Sequence, residues 1–192
     1  NFETVKQTLN ILGVALGENE KAEKISSFLD IQLENAQTLL KDVTEKPSVL
    51  FLGSSSALSV APGSMIQTSL IEAGGGLNAV SGVENVGGFA DVSIEQIITW
   101  NPDVIWFPAY SDYTAEDLLN DPAWSSISAI QNKRVYEFPS QLEPWDQPTA
   151  VLALGIDWAL NNLHPDLYGF EALMENVDEF YTIVYDKTFT AE

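Results

Sequence analysis

Apolar side chains recur at helical spacing from Phe2 to about Thr44: Val5, Leu9, Leu12 and Leu16, then Ile25, Phe28, Leu29, Leu33, Ala36, Leu39 and Leu40. Steps of three and four positions place them on one helix face. The two sets are separated at Gly17, where a break is predicted, and Pro47 stops the pattern. Val49-Leu50-Phe51-Leu52 then forms a continuous apolar run ending at Gly53, the signature of a strand buried on both faces of a parallel sheet. A serine-rich loop follows, and Met65 to Ala73 is helical again, closed by Gly74-Gly75-Gly76. A glycine-rich loop is predicted from there to Asp91.

Ser93 with Gln96 starts a helix over Ile94 to Trp100, since the serine oxygen and the glutamine side chain can satisfy each other's free amides. Asn101-Pro102 ends it. Val104-Ile105-Trp106-Phe107 reads as a second buried strand, and a loop spans Pro108 to Tyr113. Thr114 with Asp117 caps the next short helix, and Val135-Tyr136-Glu137-Phe138 is a third strand. After the loop Pro139 to Pro148, the apolar positions Val151, Leu152, Leu154, Ile156, Trp158, Ala159 and Leu163 describe a largely buried helix. An amphipathic helix covers about Phe170 to Tyr185. Strands alternating with helices imply an α/β fold: a three-layer sandwich with a short, mainly parallel sheet flanked by helices, behind a long N-terminal helical segment. The expected division is a helical segment at 1–46 and an α/β lobe at 47–192.

Ligands of such sheets gather beyond the strand C-terminal ends, so three loops matter: Gly53 to Gly63, Pro108 to Tyr113, and Pro139 to Pro148. The first carries Ser54, Ser55, Ser56 and Ser59, whose hydroxyls can hydrogen-bond a polar ligand edge. Tyr110 and Tyr113 bring phenol hydroxyls to the second. Trp145 and Asp146 sit in the third between Pro144 and Pro148, which stiffen it and hold an indole ready for a planar or hydrophobic ligand.

Charge narrows the partners. The 28 acidic and 8 basic residues give a formal net charge of -20, which repels nucleic acid and anionic lipid surfaces. Arg134 is the sole arginine, so a cluster of bidentate clamps for a polyanion is excluded. Cysteine is absent and His164 is the sole histidine, which removes thiolate sites and the multi-histidine sites of zinc or manganese binders. Before Pro165 at a helix end, His164 is suited to the helix's free carbonyls.

Two enzyme patterns were weighed. Gly53-Ser54-Ser55-Ser56-Ala57 after a strand imitates a nucleophile elbow, and Asp146 or Asp157 followed by His164 would complete a serine hydrolase's order of groups. Gly74-x-Gly76-x-x-Ala79 lacks the preceding strand and following helix of a dinucleotide fingerprint, and no phosphate-binding loop motif occurs.

Three ordered blocks carry a family resemblance: VSIEQIITWNPDVIWF from Val92, DPAWSSISAIQNKRVYEFP from Asp121, and EPWDQPTAVLALGIDWALNNLHPDLY from Glu143. With the LG-x-x-LG-x-x-x-x-AE pattern from Leu12 to Glu23, they resemble the periplasmic binding proteins that carry iron-siderophores, haem and cobalamin, two α/β lobes joined by one long helix. The resemblance implies a bridging helix and C-terminal lobe, with the N-terminal lobe of the same protein missing from this sequence. It further implies an extracytoplasmic location, periplasmic or lipid-anchored, no catalysis, no resident cofactor, and a carried iron-siderophore, haem or corrinoid. The implied partner is an ABC permease, met through an exposed acid for which Glu116 is the best match, with Asp112 and Asp117 as neighbours. A stand-alone interaction or sensor domain is the remaining alternative.

Overall fold

The computed structural model describes residues 1–83, 87–140 and 142–187. Its contacts divide the chain into two compact units, one made of Asn1–Val43, Ala73–Gly75 and the chain from Gln147 onward, the other of Thr44–Glu72 and Gly76–Asp146. This grouping cuts across the linear division at residue 46, because the last two helices pack against the second one rather than being counted with the sheet.

In the first unit, α1 (Phe2–Leu16) is capped by the Asn1 side chain and stops at Gly17, whose φ of 74° is left-handed and open to glycine at little cost. The chain resumes as α2 (Asn19–Leu40). The buried stripe Ala22, Ile25, Phe28, Leu29 and Ala36 of α2 meets α7 (Leu152–Leu163) and α8 (Phe170–Tyr185). Phe28 and Phe180 lie with ring centroids 5.6 Å apart at this packing. A Cβ on Gly74 would fall 2.6 Å from the Cβ of Ala159, so the chain passes α7 at a distance that only glycine permits.

The second unit is built on a four-stranded parallel sheet ordered β3-β1-β5-β6, with β1 at Ser48–Phe51, β3 at Leu77–Asn78, β5 at Val104–Pro108 and β6 at Val135–Phe138. The register Leu50↔Ile105↔Val135 and Phe51↔Trp106↔Tyr136 sorts the side chains onto two faces. Leu50, Leu52, Ile105, Phe107 and Val135 share one core with Ile97 of α4 (Ile94–Trp100), Leu118 of α5 (Ala115–Asn120), Trp124 of a 3-10 turn (Pro122–Trp124), and Ala129 and Ile130 of α6 (Ser128–Gln131). On the opposite face Phe138 contacts Phe51 and Trp106 at 5.7 and 5.6 Å. Both faces are buried, which explains the continuous apolar runs.

Several features depart from the expected loops. Gly53 to Gly63 is not an open loop: the chain turns back at once, Gly53 N–H donating to Ser59 C=O, and forms β2 (Ser59–Val60). β2 pairs antiparallel with β4 (Ala90–Asp91), and the stretch expected as a glycine-rich loop also supplies β3. Beyond Asn120 the structure adds the 3-10 turn and α6. The helix α3 (Ile66–Ala73) lies where expected. Of the Ser93 and Gln96 capping pair, the serine half is seen, Ser93 Oγ accepting from Gln96 N–H at 3.3 Å.

Candidate ligand-binding face

Because the sheet is parallel, the ends of β1, β5 and β6 open on one side, and the three loops sit there together. They are tied to one another. Asp112 N–H donates to Ser54 C=O at 2.9 Å, joining the first loop to the second. Tyr113 Oη–H donates to Gly53 C=O at 2.7 Å, and its ring packs 5.4 Å from Phe107. Burial pushes the Tyr113 phenol up, against the smaller opposing effect of a hydrogen bond with Ser111. Tyr113 therefore braces the face from behind.

The third loop is a tight turn, with a bridge between Ser140 and Pro144 and Trp145 N–H donating to Pro139 C=O at 3.0 Å. Trp145 is 5% exposed and Asp146 1%. The two do not stand out on the crevice face; Trp145 fills space beneath its own loop. Asp146 acts through its neighbours instead: Tyr110 Oη–H donates to its Oδ2 at 3.2 Å. Gln67 Nε2–H donates to its backbone oxygen at 3.1 Å and to Oδ2 at 3.4 Å. Tyr110 itself is 45% exposed, so the network runs from the surface to a buried carboxylate. The buried Trp145 Nε1–H and Gln67 Oε1 have no hydrogen-bond partner among the described residues.

Sequence reasoning did not single out Gln67, Thr68 or Asn78. Asn78 Nδ2–H donates to Ala61 C=O at 3.1 Å and to Thr68 Oγ1 at 2.7 Å, while Thr68 Oγ1–H donates to Pro62 C=O at 3.1 Å. These bonds fix the turn that leads into α3 and so aim Gln67. The signal was available: Gln67 and Thr68 are polar residues on the buried face of α3, beside Leu70 and Ile71.

Ser54, Ser55 and Ser56 line a small pocket of about 190 Å³ with Gly53, Ser59, Phe89 and Asp91. Ser56 Oγ accepts from Leu58 N–H at 3.2 Å. A larger pocket of about 490 Å³ runs from Ser55 past Asp112, Tyr113, Asp117 and Asp121 to Trp124. Glu116 is exposed in the first turn of α5, beside Asp117, which completes a capping box with Thr114. Hydrogen bonding to Thr114 holds the Asp117 carboxyl below its ordinary range. The basic residues of this unit, Lys46, Lys133 and Arg134, all precede β1 or β6. They therefore lie at the opposite ends of the strands.

The hydrolase geometry is not assembled. Ser55 is followed by the turn into β2 rather than by a helix, which a nucleophile elbow requires. His164 Nε2 is bound to Gly75 C=O at 3.2 Å, Asp157 to Asn176, and Asp146 to Gln67 and Tyr110. Among the described residues, no group of three or more His, Cys, Asp and Glu side chains is placed to hold a metal ion, and no helix is long and apolar enough to cross a membrane.

A family profile described as periplasmic binding protein matches residues 1–142. The molybdate-binding protein MolA of Haemophilus influenzae is 31% identical over 103 residues, 53% of this chain and 29% of that protein. YvrC of Bacillus subtilis, an uncharacterized ABC transporter substrate-binding lipoprotein, is 26% identical over 178 residues, 88% of this chain and 52% of its own. The crystal structure of a periplasmic solute binding protein from Veillonella parvula superposes with a TM-score of 0.87 at 27% identity, covering 99% of this chain and 58% of that one. The chain thus spans about half the length of the relatives that match it along most of its sequence. The profile runs from the first helix through β6, the whole of the segment that builds the crevice face. By sequence and by fold, the chain belongs to the periplasmic binding protein family.

Proposed function

We propose that this chain forms the bridging helix and one lobe of the solute-binding component of an ABC importer, capturing an iron chelate or related metal complex outside the cytoplasmic membrane and handing it to the permease without chemical conversion. The observation that carries the reading is the crevice face itself, where loops from three parallel strands are cross-tied and present serine hydroxyls and the exposed Tyr110. Ser54, Ser55, Ser56 and Tyr110 are the proposed contacts, with Tyr113, Trp145 and Asp146 holding them in position. Capture of this kind needs most of the ligand surface buried, so the other half of the cleft belongs to the rest of the protein. The relative MolA binds molybdate by its name, which keeps the ligand class a question for experiment. Iron-siderophore, haem and corrinoid complexes are the proposed cargo.

Glu116, with Asp112 beside the same loop, is the proposed contact for a basic permease side chain, since both are exposed carboxylates next to the crevice loops. The test of the capture reading is native mass spectrometry and absorbance of the full-length protein purified from its own host. A bound metal complex in stoichiometric amount is expected. Protein that comes free of any small molecule, and takes none up from host extract, refutes the reading.

A further inference from the structure

The ligand's chemical class follows from a count of donors and acceptors on the crevice face. Most donors there are already spent inside the protein. Tyr113 Oη–H goes to Gly53, Tyr110 Oη–H to Asp146, Ser111 Oγ–H to Pro108, Thr68 Oγ1–H to Pro62, and Asp112 N–H to Ser54. An oxyanion is an acceptor on every side and needs a shell of free N–H and O–H groups or cations. The cations are absent from this side, because Lys46, Lys133 and Arg134 stand at the other ends of β1 and β6.

Acceptors, by contrast, are in surplus. Gln67 is 2% exposed and its Oε1 has no partner among the described residues. The orientation of this amide is fixed by its neighbours, since turning it over would set its oxygen against the Asp146 backbone oxygen and carboxylate. A buried carbonyl oxygen left unpaired is costly, and a donor reaching it recovers that cost. It lies beside the Asp146 carboxylate, and the serine pocket places the Asp91 carboxylate on the same side of the sheet.

Resting on the capture reading, we infer that the face this chain contributes selects a cationic or neutral complex bearing N–H or O–H donors and rejects oxyanions. Gln67 Oε1 accepts from the ligand, and the carboxylates beside it set the sign of the charge. The indole Nε1–H of Trp145 supplies the one buried donor without a partner among the described residues. This distinguishes the chain from its relative named for molybdate.

The experiment is calorimetric titration of the full-length protein with hexaamminecobalt(III), a trivalent metal complex whose surface is all N–H donors, and separately with sodium molybdate. An excess of magnesium occupies diffuse counterion positions. Saturable binding of the cobalt complex is expected, with at least about tenfold tighter affinity than molybdate. Gln67→Leu should weaken the cobalt complex about tenfold and leave molybdate unchanged. Asp91→Asn, on the exposed rim, reads the charge contribution in a protein whose core is untouched and should weaken it several-fold. Molybdate binding as tightly as the cobalt complex overturns the inference while leaving capture intact. Cobalt binding unaffected by both substitutions is diffuse attraction and overturns it as well. Heat from neither compound removes the inference, and failure to take up any complex from host extract is the separate result that removes the capture reading.

Discussion

A single buried carboxylate offers the sharpest test of the fold. Asp157 of α7 is 2% exposed, and its Oδ2 accepts from Asn176 Nδ2 of α8 at 3.0 Å. The same nitrogen lies 2.9 Å from Gln32 Oε1 of α2 and 2.8 Å from Tyr168 Oη, three acceptors around a group with two hydrogens. Burial raises the Asp157 carboxyl from the ordinary 3.8 to about 7, the bond from Asn176 opposing it. Between those values the folded chain holds a proton that the unfolded chain has released. Stability from this group is therefore fully present below the unfolded value and is lost as pH rises through about 7. At about 1.4 kcal/mol per pH unit the loss reaches about 4 kcal/mol above neutrality. Asp157→Asn keeps the shape and an acceptor for Asn176 but never carries charge. Urea unfolding of both proteins should give similar stabilities near about pH 4, with the variant ahead by about 4 kcal/mol near about pH 9. Comparing the two proteins cancels the exposed carboxylates common to both. A difference that stays constant across the range, or a variant weaker at the alkaline end, refutes the argument from burial.

Tyr113→Phe deletes a half-buried hydroxyl bonded to Gly53 and should cost about 1 kcal/mol in the same assay; no loss would mean the loop tie carries no energy. Gly74→Ala brings a methyl to 2.6 Å from Ala159 and should cost about 1–3 kcal/mol, against a near-neutral result at the open Gly63. Glu116→Lys should cost only about 0.3–1 kcal/mol of fold stability through the helix end while abolishing uptake and preserving ligand affinity in the full-length protein. Uptake at the wild-type level would reduce Glu116 to a helix-end acid.

The order of helices and long strands was legible along the chain, since each is set by local periodicity and punctuation. α8 occupies Phe170–Tyr185 as its amphipathic pattern demands, and the Thr114 and Asp117 capping box opens α5 as written in the sequence. The apolar runs of β1, β5 and β6 marked a sheet buried on both faces. Tertiary structure alone decided the rest. β2, β3 and β4 are two residues each, too short for any alternation, and exist because partners distant in sequence such as Ser59 and Asp91 meet. The roles of loop residues followed the same logic: Tyr110 and Tyr113 are equivalent as letters. Yet one reaches into solvent and the other is held against Phe107 and Gly53. Residue type fixed which groups were available for binding, whereas the side each one faces, and whether its hydrogen bonds are already spent, depends on contacts between segments that no local pattern encodes.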